Sequence, residues 1–406
     1  LPSRIPAKAP MHRPHSPHQK APDPMSNTRG KIIVVGAGIA GLSTAWALTR
    51  RGFAVEVFEQ GPIPNPRATS YDEHRITRHA YGSLEGYAYL MPRAFALYEA
   101  MFRDIGARHF APGSVVYFLR DAVDWYEPVS RSLTALGKGY RDIPLAKVPD
   151  LFPMIETKGL MRVVETEEGG MLFPIRILTD LTVWLGNQGV VFHSDARVSD
   201  IDPEAGTLHA NGQTHRADRI VIAAGAWVNK LTPAVADAVV PSRQAVMYLA
   251  PPPELVKAWN EVPVLIDLGS ESGTYTLPPK MGTRLKVGDH VFTRSGDADG
   301  DRIATEADVA RLNKAARLAY RDFDRYQVLE KKICFYTVTR DHSEEFQVKP
   351  WGTKAWVVSA CSGHGFKLGP LIGDGVAAAI AGEMSDADTV RLTAGRMSHA
   401  EAQALG

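Results

Sequence analysis

The stretch from Lys31 to Glu59 reads KIIVVGAGIAGLSTAWALTRRGFAVEVFE. A short apolar run leads into a glycine turn, a helical pattern and a second apolar run that ends in an acid. The β-branched residues between Lys31 and Val35 predict a strand buried on both faces. Gly36, Gly38 and Gly41 follow at G-x-G-x-x-G spacing, and each has its own task. The first lets the chain turn sharply, the second lets a pyrophosphate approach the backbone, and the third lets the helix pack closely on the strand. The free N–H groups and positive dipole end of the helix would then face the phosphates. Glu59 closes the second strand about twenty residues on, where a carboxylate can accept hydrogen bonds from ribose hydroxyls and disfavour a 2′-phosphate. The chain is therefore expected to be α/β and to hold a dinucleotide, with FAD and NAD equally open at this point.

A chain of 406 residues exceeds the size at which one core usually keeps growing, so two domains are expected. Lys plus Arg total 46 against 45 acids, which is not a nucleic-acid-binding balance. No run of about 18 apolar residues is present, so a membrane span is not expected. Cys334 and Cys361 are the only cysteines, too few for a disulfide framework and suited to a reducing, cytoplasmic setting. Residues 1–30 are rich in proline, carry His12, His15 and His18, and lack apolar periodicity. They read as a disordered extension or an expression leader rather than as a metal site or a signal peptide; no metal is expected.

After the opening unit come an Arg-rich loop from Asn65 to His79 and a helical pattern around Leu90 to Ile105. Arg216 to Trp227 reads as a strand ending on small residues, which suits close contact with a nucleotide. Residues 241–333 differ in texture, with a Gly- and Pro-punctuated middle and a charged helix expected from Glu306 to Tyr326. The segment KAWVVSACSGHGFKLGPLIGDGVAAAIAG then gives another strand, a glycine loop and a helix. The expected organisation is a Rossmann-like dinucleotide domain built from discontinuous segments, 31–82, 168–240 and 334–406. A mixed β-sheet substrate domain would take 83–167 and 241–333.

Four patterns settle which dinucleotide to expect: GAGIAG from Gly36, RITRHAYG from Arg75 to Gly82, CFYT from Cys334 to Thr337, and SGHGFKLGP from Ser362 to Pro370. In order and spacing the chain resembles the sarcosine oxidase branch of the D-amino-acid-oxidase-like flavoproteins, which includes N-methyltryptophan and pipecolate oxidases. The resemblance implies FAD, held covalently from its 8α carbon to the sulfur of Cys334, while Cys361 is expected only to pack. It implies that Gly363, His364, Gly365, Phe366 and Lys367 form a loop against the cofactor, and that Arg75 lies along the flavin ring. Arg78 and Lys367 would hold a substrate carboxylate, two cations giving orientation as well as affinity.

Lys286, in LKVGDH, would serve the oxygen step, since a fixed positive charge favours electron transfer to O₂. His290, Tyr275 and Tyr336 would line the pocket and help an amine reach its unprotonated form. One departure stands out. The family usually carries a glycine-rich Gly-Ser-His-His-Gly ahead of the first arginine, whereas this chain has Ala68, Thr69, Ser70, Tyr71 and Asp72, so the close glycine approach is lost. Asp289 replaces an uncharged residue and reads as a solvated loop acid. The implied activity is oxidation of the C–N bond of a secondary or cyclic amino acid by O₂, in a monomer or small homo-oligomer. A dehydrogenase using another acceptor, or a non-catalytic flavin-binding subunit, are the alternatives.

Overall fold

The strand Lys31–Val35 lies inside a six-stranded sheet, between Arg219–Ile222 and Ala54–Phe58, and it pairs with both in parallel. The computed structural model describes residues 29–121, 123–359 and 361–405. The proline- and histidine-rich residues 1–28, with the leader and the three histidines read from sequence, lie outside the described residues. Alternation along the strand sends Ile32 and Val34 into one apolar cluster and Ile33 and Val35 into another, as a strand covered on both faces requires. One face is covered by the helices Ile39–Arg50, Glu85–Ile105, Pro174–Asn187 and Gly365–Ile380, and the other by a three-stranded sheet carrying Val198, Leu208 and Ala210.

The first and last of those helices touch almost backbone to backbone. A Cβ at Gly369 would lie 2.5 Å from Ile39 Cγ1, and one at Gly373 would lie 2.6 Å from the Ser43 carbonyl carbon. Small residues spaced four apart along Gly365–Ile380 leave the room for that approach. The chain thus returns more than three hundred residues later to brace the helix that follows the glycine turn.

The second body is a mixed sheet. Among the described residues it runs Gln327–Thr339, Val239–Ala250, Leu285–Asp289, Thr274–Leu277, Val264–Asp267, Phe110–Leu119, Arg162–Leu172 and Arg75–Thr77, with Tyr140–Asp142 pairing beside Arg162–Leu172. The helix Glu306–Ala319 packs Leu312 and Ala316 against one face, and Tyr126–Ala135 packs Val129 and Leu133 against the other. The helix expected through Tyr326 stops at Ala319. Tyr320 leaves the helical region at φ −121°, ψ 133°, forms a bridge with Ile155 and buries its ring beside Trp259, and a short 3₁₀ turn follows at Phe323–Arg325. This is a Rossmann-like α/β domain joined to a mixed β-sheet domain.

Candidate active site

The glycine turn behaves as its spacing requires. Gly36 takes φ 104°, a value open to glycine, and its N–H donates to Phe58 O at 2.7 Å, locking the turn onto the second strand. A Cβ at Gly41 would sit 1.8 Å from Gly36 O, so only glycine lets the helix start this close. The helix Ile39–Arg50 begins with Gly38 as N-cap and no acid in its first turn, so no charge neutralises its positive end, although Ser70 Oγ accepts from Ile39 N at 3.0 Å. Glu59 is buried and accepts from Ala37 N at 2.9 Å and Asn65 Nδ2 at 2.8 Å. Gly36, Gly38 and Glu59 line a cavity of about 380 Å³ that extends past Trp227 to Tyr336, Gly363, Gly365 and Phe366.

A second cavity, of about 200 Å³, adjoins the first, and Arg75, Tyr336, Gly363 and Phe366 face both. Its wall brings together Arg78, Lys367, Tyr275, Lys286, His290 and His364, which come from segments far apart in sequence. Tyr275, Lys286 and Tyr336 stand on strands of the nine-stranded sheet, whereas Lys367 stands in the first turn of the helix Gly365–Ile380. Gly363, at φ 79°, allows that turn, and a Cβ there would lie 3.0 Å from the Tyr336 ring. His364 is fixed by a bond from Nε2 to Glu344 O at 2.9 Å and packs edge-on against Tyr87.

Arg78, half-buried, and Lys367, buried, form no hydrogen bond or ion pair with an acid among the described residues. Arg78 Nη1 has no hydrogen-bond acceptor, and both charges lie over the Tyr81 ring, at 5.2 and 5.3 Å from its centroid. Burial, and then the neighbouring Arg78, push Lys367 well below its ordinary value. Two such groups, with no acid bonded to either, make a site that favours an anion. Tyr81 was not singled out from sequence, although it stands in the same RITRHAYG run and supplies the shared ring.

Lys286 is fully buried and donates to Asp72 Oδ2 at 3.0 Å and to His74 O at 2.8 Å. Burial lowers it to about 8, with Asp72 working the other way. Asp72 also meets Arg75 Nη1 at 2.7 Å and accepts a hydrogen bond from the Tyr248 hydroxyl. Desolvation works against the Asp72 charge, yet Arg75, Lys286 and Lys332 together hold its carboxyl far below the usual range. The residue read as a lost glycine is thus the counter-ion of the two cations at the seam between the cavities.

Tyr275 and Tyr336 share a hydrogen bond, and burial raises both phenols. Burial, and then Arg78, push His290 down to about 4, so its imidazole is neutral at physiological pH. Asp289 is not solvated. Its side chain is fully buried, and Arg311 of the helix Glu306–Ala319 reaches it at 2.7 Å. Cys334 is buried and points to the same strand face as Tyr336, two residues on, without itself lining either cavity; burial raises its thiol, opposed chiefly by Arg75. Cys361 lines the larger cavity and fills the space beside Gly365.

A dinucleotide cavity that opens onto a cation-lined cavity between two domains defines a nucleotide-dependent redox enzyme. Residues 31–379 match the family described as FAD dependent oxidoreductase (DAO), and the chain belongs to it. Among its relatives is an N-methyl-L-tryptophan oxidase of Yersinia pestis (strain Pestoides F), 23% identical over 353 residues, which cover 84% of this chain and 92% of that protein. Two solved structures share the fold. One is NikD, titled an unusual amino acid oxidase essential for nikkomycin biosynthesis, with TM-score 0.76, 20% identity and coverage of 91% of this chain and 98% of that one. The other is L-proline dehydrogenase from P. horikoshii, with TM-score 0.74, 17% identity and coverage of 90% and 98%.

The residues fit FAD: the helix start, with no acid in its first turn, suits a pyrophosphate, Glu59 suits a ribose without a 2′-phosphate, and the glycines at 363 and 365 leave a bare wall where a flat ring can lie. Among the described residues no cluster of His, Cys, Asp and Glu could hold a metal, and no helix is long and apolar enough to cross a membrane.

Proposed function

We propose that this enzyme oxidises the C–N bond of a secondary or cyclic amino acid to an imine, with O₂ as acceptor and hydrogen peroxide as product. Sarcosine-like, N-methylated and proline- or pipecolate-like amino acids form the substrate class. The observation that carries this reading is the pair of cations, Arg78 and Lys367, that bond to no acid among the described residues, beside the seam with the FAD cavity. FAD, when bound, supplies the two-electron acceptor; Gly36, Gly38, Gly41 and Glu59 would hold its dinucleotide part, and Gly363, His364, Gly365 and Phe366 would flank its ring.

Arg78 and Lys367 would clamp the carboxylate and fix the orientation of the carbon to be oxidised. A carboxylate arriving there would also favour the charged form of Lys367, which burial disfavours. Neutral His290, with Tyr275 and Tyr336 beside it, would face the amine and accept the proton it gives up on reaching its unprotonated form. Arg75, held in place by Asp72, would favour negative charge on the cofactor side of the seam, and Lys286 would favour negative charge on oxygen. We further propose that Cys334 carries the FAD covalently and that the enzyme is cytoplasmic, a setting that suits its two free cysteines.

A second reading, a dehydrogenase that hands its electrons to another acceptor, is favoured by the fold shared with L-proline dehydrogenase. Anaerobic addition of a panel of N-methyl and cyclic amino acids tests both readings through bleaching of the flavin absorbance. Bleaching followed, on admission of air, by rapid return of colour with one peroxide per turnover supports the oxidase. Bleaching with slow return favours the dehydrogenase, and no bleaching by any member removes the proposed substrate class.

A further inference from the structure

One acid on the wall of the substrate cavity has no part in the proposed chemistry. Glu344 stands between the strands Gln327–Thr339 and Gln347–Trp351 and faces the same space as Arg78, Lys367 and His364. Its backbone sits at φ 58°, where residues with a side chain are strained. Two bonds hold it there: its N–H donates to Thr339 Oγ1 at 3.0 Å, and its carbonyl accepts from His364 Nε2 at 2.9 Å.

The carboxylate is free. Among the described residues it forms neither a hydrogen bond nor a salt bridge, although Arg294, Arg78 and Lys367 act on it through space, and burial raises its carboxyl above the ordinary value. Asp289, the other acid on this wall, is already matched by Arg311 at 2.7 Å. The cavity therefore presents two unpaired cations and one unpaired carboxylate. A ligand bearing only a carboxylate would satisfy the cations but bring its negative charge towards Glu344. A dipolar ligand satisfies all three groups, and the same acid that attracts it repels the other.

We infer that Glu344 is a specificity-determining residue that receives the cationic group of the substrate, so that the cavity selects zwitterionic amino acids over anionic carboxylates of the same shape. This rests on the reading of Arg78 and Lys367 as the carboxylate clamp. The substrate then arrives as its dipolar ion, and after binding its ammonium proton passes to the neutral His290 on the same wall.

Calorimetric titration of the FAD-loaded enzyme with a matched pair tests this. Trimethylammonioacetate and 3,3-dimethylbutanoate share shape and carboxylate and differ by one positive charge. The native enzyme is expected to bind the dipolar ligand roughly tenfold more tightly, the scale of one charge-assisted contact. In Glu344→Gln that preference falls to about one, through weaker binding of the dipolar ligand and equal or tighter binding of the other. Glu344→Gly, which suits the positive φ and so guards against misfolding, should behave alike. Equal binding by the native enzyme, or a preference that survives both substitutions, overturns the inference. Failure of both ligands to bind, or binding of both unaffected by Arg78→Ala, would instead overturn the clamp and the inference with it.

Discussion

Asp72 concentrates more charge chemistry than any other side chain near the seam. An ammonium has three N–H groups; Asp72 and His74 O take two from Lys286, which leaves one for the cavity that Lys286 lines. Replacing the carboxylate strands two buried cations, and breaking a buried pair in this way costs about 3–5 kcal/mol. Asp72→Asn is therefore expected to lower unfolding stability by that order in a denaturant titration. The folded carboxyl titrates far below the unfolded value of about 4, so its contribution is complete above that pH and is lost as pH falls towards the folded value. The stability gap between native and variant should accordingly stay constant at neutral pH and close only in strong acid. Lys286 gives a second pH signature. With a value of about 8, it is charged below that pH and neutral above it. Flavin reoxidation by O₂, followed by stopped flow, should slow as pH rises through about 8. Lys286→Met should abolish that limb and slow reoxidation on the order of a hundredfold while slowing flavin reduction far less. Equal slowing of both half-reactions would remove the oxygen role.

The strands that carry these residues set how closely they can approach. Tyr275 pairs with Gly288 across antiparallel neighbours, and a Cβ on Gly288 would lie 2.4 Å from the Tyr275 hydroxyl oxygen. The ring lies flat over the facing strand, where a methyl group would displace it from Tyr336. Gly288→Ala should cost about 1–3 kcal/mol of stability, the usual range for overpacking, and raise KM. FAD content should hold, because Gly36 and Glu59 belong to the other sheet; loss of FAD together with substrate affinity would show that the two bodies fail as one. The same geometry explains which features were legible in the sequence. The glycine turn was, because its strand, turn and helix are contiguous and each glycine has a local reason. Lys286, Tyr275 and Cys334 could be placed only by likeness to a family, since nothing local says that Leu277 and Tyr248 flank Lys286 on its two neighbouring strands. Asp72 was misjudged because its meaning lies in a contact with a lysine 214 residues away. Asp289 was misjudged because Arg311 reaches it from a helix packed across the sheet. Glu344 offered no signal: its free carboxylate is a property of the cavity, and its strained φ of a turn.

At the scale of the molecule, the dinucleotide end of the cofactor cavity belongs to the six-stranded sheet, whereas Tyr336 and Arg75 at its far end belong to the nine-stranded one. A cofactor spanning that seam would be gripped by two bodies, and a bond to Cys334 would tie it to the second. The strand Gln327–Thr339 is well suited to carry such a bond. It pairs along nearly its whole length with Val239–Ala250, so Cys334 stands on a rigid support opposite Gln244. Burial, and after it the negative Asp72, resist formation of the thiolate that would make the bond, while Arg75, Lys332 and Lys286 favour it. Attachment is thus expected to depend on the cations Arg75, Lys332 and Lys286. Acid-precipitated native protein should remain yellow, and Cys334→Ser should release its colour into the supernatant while still binding FAD through the glycine turn. Lys332→Met should leave a measurable fraction of the flavin unattached. Colour released wholly from the native protein would exclude the bond. Full attachment in Lys332→Met would show that Cys334 forms it without help from that charge.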